Sequence, residues 1–118
     1  MFEQLSGSAG NVLEFKIGEN VTAEDVRSIS RILSETISIF GKVRLLIEIE
    51  GFRHMEPEAL LEKLRFAAEH AKEIERIAVL GNRVWIKSWV KIGGLFSHRE
   101  VEYFDRSEME AARAWLRG

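Results

Sequence analysis

The sequence contains no cysteine. Disulfides, thiol nucleophiles and thiolate metal sites are therefore excluded, and a reducing, cytoplasmic setting is expected. Proline occurs once, and the chain is 46% hydrophobic and 31% charged, so it is neither low-complexity nor disordered. A strong charge of either sign is also lacking. The formal net charge is −2, which excludes a non-specific nucleic-acid binder. No apolar run approaches the roughly 20 residues that span a bilayer. The opening Met-Phe-Glu-Gln has neither the basic nor the apolar region of a secretory signal.

Catalytic and cofactor motifs are equally scarce. His54, His70 and His98 are not spaced as metal-ligand pairs, and none lies in an HExxH arrangement. Gly7, Gly10, Gly93 and Gly94 build neither GxGxxG nor a phosphate loop, and no GxSxG elbow occurs. No metal, cofactor or catalytic residue is expected from these patterns.

At 118 residues the chain fits one domain, covering residues 1–118. Residues 2–5 and 12–17 read as a hairpin, with Leu13, Phe15 and Ile17 on one face and Glu14 and Lys16 on a wet face. Thr22 is a good N-cap with Asp25 three residues on. Val26, Ile29, Leu33, Ile37 and Phe40 then recur at helical spacing until Gly41. Residues 43–50 alternate as a strand whose outer side carries Glu48 and Glu50, so helices should lie mainly on one side there. Pro57 opens a second helix. Leu60, Leu61, Leu64, Ala67, Ala68 and Ala71 form its expected buried stripe, with Phe66 on the charged side near Lys63 and His70. Residues 76–80 and 99–104 read as strands. Ser107 and Glu110 suggest a capping box for a last helix carrying Met109, Ala112, Trp115 and Leu116. The order is ββαβαβαβα: an α/β domain with a mixed, mostly parallel sheet of about five strands, an N-terminal antiparallel hairpin and four helices.

Residues 83–96 provide the third of those four helices. Trp85, Trp89 and Phe96 share one sector, while Lys87 and Lys91 lie opposite. Most such stripes are core. Tryptophan beside cations also suits a lid over an anionic amphiphile, a peripheral membrane contact or a subunit interface. Phe66 on a charged face is a candidate homodimer contact. Glu50 and His54, near a strand's carboxyl end, are the pair that a small acid–base enzyme would use.

The chain resembles the SpoIIAA-like family, grouped with STAS domains and the CRAL-TRIO lipid-transfer fold. The residues that carry the resemblance are 43–48 with Gly51-Phe52, 75–81, Trp85 and Trp89, 101–105 and 114–116. The resemblance implies a mixed sheet with helices. STAS-type antagonists of anti-sigma factors carry a phosphorylatable serine at the start of the helix after the third strand. Residues 52–58 have neither serine nor threonine, so no regulatory residue carries over. CRAL-TRIO proteins enclose a lipid under a helical gate, to which residues 85–96 are analogous in position. The expectation is a non-enzymatic STAS-like module binding a protein partner or a lipid-like small molecule. Phe52, Trp85, Trp89 and Phe96 are the expected contacts, with Lys87 and Lys91 near an anionic group.

Overall fold

Seven strands and three α-helices account for the regular structure of residues 2–51, 54–70, 72–81 and 100–118, which the computed structural model describes. Strands β1 (Phe2–Gln4) and β2 (Val12–Ile17) form the expected antiparallel pair, with Phe2 opposite Ile17. Strand β2 runs parallel to β4 (Val43–Ile49). The parallel sheet continues through β6 (Ile74–Gly81) to β7 (Glu100–Asp105). The five-stranded order is β1-β2-β4-β6-β7, a mixed sheet with one antiparallel edge.

Helix α1 (Ala23–Phe40) begins where its sequence says it should. The Thr22 hydroxyl accepts the Asp25 N–H at 3.1 Å, and the Asp25 carboxylate accepts the Thr22 N–H at 3.0 Å. It ends at Gly41, whose φ of +80° is accessible to glycine at little cost. Ile29 and Leu33 join the core, but the stripe runs off its edge in the last turn, where Phe40 is 50% exposed.

Helix α2 (Pro57–His70) corrects the expected helical face. Leu61 is 61% exposed and Ala68 is exposed, whereas Ala59 is fully buried and Phe66 packs against the core. Among the described side chains the inward row is Ala59, Lys63 and Phe66, at spacings of four and three; the side chains of Leu60 and Ala67, and residue Ala71, of the expected stripe lie outside the described residues. A lysine in that row hid it, because a charged side chain reads as solvated.

Two strands of two residues were not expected. β3 (Asn20–Val21) and β5 (His54–Met55) pair in parallel, ahead of α1 and α2 respectively. Segments this short carry no periodicity to read. Beside them, the Glu56 carboxylate accepts the Ala23 N–H at 3.1 Å, and the Val21 carbonyl accepts the Glu56 N–H at 2.9 Å. The N-termini of the two helices are thereby tied together.

On one sheet face, Phe15, Leu45, Ile77 and Val79 form a core with Leu33 of α1. On the other, Leu46, Ala78 and Leu80 pack against Ala112 and Leu116 of α3 (Met109–Arg117). The cap before α3 lies two residues upstream of the expected Ser107. Asp105 accepts the Ser107 N–H, and the Glu108 carboxylate returns to the Asp105 N–H, so a 3-10 turn (Arg106–Glu108) precedes the helix. Helix α3 docks through arginines of the sheet. Arg44 donates to the Leu116 carbonyl at 2.5 Å and Arg76 to the Trp115 carbonyl at 2.6 Å. These cations suit the negative end of a helix.

Glu14, expected on a wet face, is 1% exposed. Helix α3 covers it and supplies Arg113, whose Nε and Nη2 donate to the carboxylate at 3.0 and 2.9 Å. Gly7 lies against that carboxylate, and the Ser8 hydroxyl accepts the Glu14 N–H at 2.9 Å. A bidentate arginine and a closely fitting turn make burial of a charge there tolerable.

Candidate functional site

Between the sheet and helices α1 and α2 lies a cavity of about 120 Å³. The sheet supplies its floor through Phe15 and Ile17 of β2, Leu45 and Ile47 of β4, and Ile77 and Val79 of β6. Inward positions two apart on adjacent parallel strands put these side chains in rows. Helix α1 covers the floor with Val26, Ile29 and Leu33, one face of a helix at spacings of three and four. Helix α2 closes another wall with Lys63 and Phe66, and β7 contributes Val101 and Tyr103. An engineered cavity of about 150 Å³ lined by apolar side chains stays dry and admits benzene. A void of this size and lining has room for an apolar group of comparable size.

Among the described lining residues, Ser30, Lys63 and Tyr103 carry side-chain polar atoms. The Lys63 Nζ is buried. Burial pushes its pKa down to about 8, because a low-dielectric surrounding disfavours the ammonium. Burial likewise raises the Tyr103 hydroxyl above its usual range, so it stays protonated and able to donate. Phe66 is stacked on His70, with ring centroids 4.5 Å apart, which fixes the aromatic wall beside Lys63. The described lining therefore offers an apolar body space, the Lys63 amine and the Ser30 and Tyr103 hydroxyls.

Of the residues expected to bind, Phe52, Trp85, Lys87, Trp89, Lys91 and Phe96 lie outside the described residues. Phe66, expected as an exposed contact, lines the cavity instead. Glu50 lies at the carboxyl end of the sheet, 2.6 Å from the Lys16 ammonium and 3.4 Å from Arg106. The hydrogen bond and charge of Lys16 hold its carboxyl below the ordinary range, the reverse of what a general acid needs at neutral pH. The His54 backbone pairs with Asn20 in the small sheet; its side chain lies outside the described residues. Among the described residues, no group of histidine and carboxylate side chains could hold a metal ion. No described helix is long and apolar enough to cross a membrane.

Sequence reasoning missed Lys63, Ser30 and Tyr103. A signal existed for Lys63: it falls four residues after Ala59 and three before Phe66, in phase with both.

The sequence profile described as SpoIIAA-like matches residues 12–117. No curated protein is similar to the chain. Among solved structures, an uncharacterised protein of Shewanella loihica with a SpoIIAA-like fold superposes with a TM-score of 0.78 at 20% identity. That match covers 98% of this chain and 93% of the other. At that identity it shows the shared fold.

Proposed function

The chain belongs to the SpoIIAA-like family, and from that premise we propose that it is a small binding module. Its ligand is an apolar or amphiphilic small molecule held in the cavity between the sheet and helices α1 and α2. The observation that carries this reading is the cavity itself: about 120 Å³ of space, lined among the described residues by aliphatic and aromatic side chains around the Lys63 amine. Close packing is the rule in protein interiors, and voids larger than a water molecule are few in a domain of this size. Pre-formed apolar pockets with a few convergent polar groups are the usual form of small-molecule sites. On sequence grounds, Phe52, Trp85, Trp89 and Phe96 are proposed as further contacts, with Lys87 and Lys91 beside them.

Native mass spectrometry of gently purified protein, followed by denaturation and analysis of released small molecules, tests this reading. An added small-molecule mass is expected, and an Ile29→Trp substitution, which fills the cavity, should remove it. Protein that carries no small molecule and takes up neither hexanol nor benzene sinks the reading.

A second reading is favoured by one surface feature. Ile39 and Phe40, at the end of α1, are 75% and 50% exposed. Adjacent exposed apolar side chains suit a protein partner, as the family's role as interaction modules suggests. Loss of a captured partner on Ile39→Ser with Phe40→Ser, with the fold intact, is its expected result.

A further inference from the structure

We propose that a second copy of this chain docks on the outer face of helix α2, forming a symmetric antiparallel helix pair centred beside Leu61. The proposal goes beyond the binding reading above and uses neither the cavity nor Ile39 and Phe40. It moves the homodimer contact from Phe66, which lines the cavity, to another side of the same helix.

Glu58, Leu61, Arg65 and Ala68 are all exposed, Leu61 at 61%. They recur at spacings of three, four and three, so they lie along one side of α2. Ala59, Lys63 and Phe66 point away from that side, towards the interior. A single exposed leucine is ordinary on a protein surface. What marks this one is its place midway between an acid and a base.

A two-fold axis turns that spacing into complementarity. In an antiparallel pair related by such an axis, residues equidistant from it on either side face each other across the seam. With the axis between Leu61 and Glu62, Glu58 and Arg65 each lie three and a half residues from it. Glu58 of one copy then faces Arg65 of the second copy, and symmetry repeats the pair. Leu61 meets its counterpart beside the axis, offset by one residue, or about 1.5 Å. Ala68, a turn beyond Arg65, is too small to obstruct the approach. A parallel pair would set Glu58 against Glu58 and Arg65 against Arg65, and like charges so placed repel.

The Arg65 guanidinium is free to make the new contact. Its described partner is Glu62, one turn back at 3.5 Å. An exposed pair of this kind contributes little, so exchanging it for a carboxylate across the seam costs little. About two helical turns from each copy make a seam smaller than a standard stable interface, so the dimer is weak and concentration-dependent.

Sedimentation equilibrium of the intact chain, from micromolar to millimolar concentration, provides the test. The expected result is a monomer–dimer equilibrium that weakens in high salt. Glu58→Arg and Arg65→Glu each turn two attractions into two repulsions, because the axis repeats every contact. Each should raise the dimer dissociation constant at least about tenfold. Mixed in equal amounts, the two variants should associate with each other at close to the parental strength, since every facing pair is again of opposite sign. Leu61→Lys, at an exposed position, should abolish association and leave the unfolding midpoint nearly unchanged. A chain that stays monomeric at millimolar concentration overturns the proposal. So does a dimer that Leu61→Lys leaves intact, or a mixture of the charge variants that associates no better than either alone. Circular dichroism of each variant separates a lost contact from a lost fold, and the salt series on the unmodified chain reads the same ion pairs without any substitution.

Discussion

Lys63 shows how one side chain couples stability to acidity. Its folded pKa, about 8, lies below the ordinary lysine value of 10.5. Between those values the unfolded chain binds more protons than the folded one, so this residue's contribution to stability rises with pH. Below about pH 8 the lowered pKa costs the fold on the order of 3 kcal/mol. Replacing Lys63 with methionine keeps the packing stem and removes the charge. Lys63→Met is expected to be more stable than the parent at pH 7 by about 2–3 kcal/mol. The gap should close between pH 8 and 10.5. Urea unfolding across that range checks it, and a gap independent of pH would contradict it. A residue that lowers stability within the proposed binding cavity fits the general trade between stability and function. Lys63 was also the residue least legible from sequence, since a charged side chain reads as solvated until its helical phase is compared with Ala59 and Phe66. Glu14 was misread for the same reason: alternation placed it on the outer face, and only the docking of α3 turns that face into an interior.

At the scale of elements, the helices announce themselves where the cap chemistry is local. Thr22 with Asp25, and Gly41, were readable because each interaction spans three or four residues. The Asp105–Glu108 box was displaced from expectation because two overlapping arrangements, starting at 105 and at 107, both satisfy a capping pattern. The tie between the two helix starts was not readable, because Glu56 and Ala23 are 33 residues apart. That tie gives the N-terminus of α1 two acceptors, Thr22 and Glu56. Thr22→Ala is expected to cost about 1 kcal/mol. Combined with Glu56→Ala, the loss should exceed the sum of the two single losses, since each acceptor partly covers for the other at one helix end. A double-mutant cycle in urea checks this; strict additivity would mean that the two caps act independently.

For the whole molecule, the mixed five-stranded sheet followed from the alternation of elements and the hairpin, whereas helices were expected mainly on one face and α3 covers the other. The cavity did not. A void is a property of how far α1 and α2 stand from the sheet, and no pattern of residue types encodes that distance. Of the candidate binding residues of the sequence reading, Phe66 moved from presumed surface to cavity wall, and Phe52, Trp85, Lys87, Trp89, Lys91 and Phe96 lie outside the described residues. On the opposite face, integrity depends on the Glu14–Arg113 pair. Arg113→Ala leaves a carboxylate that is 1% exposed without its bidentate partner. The expected loss is about 2–4 kcal/mol, read as a lowered urea midpoint with an unchanged slope.

The same pair has a consequence for the birth of the protein. Glu14 and Arg113 are 99 residues apart, so during synthesis the carboxylate emerges long before the guanidinium that will neutralise it. Until α3 arrives, β2 carries a charge facing what will become the interior, beside the apolar surface formed by Leu46, Ala78 and Leu80. Arrival of α3 covers both in one step, a contact of high sequence separation that completes the fold late. The growing chain is thus kept water-compatible on that face by the very group that later locks it.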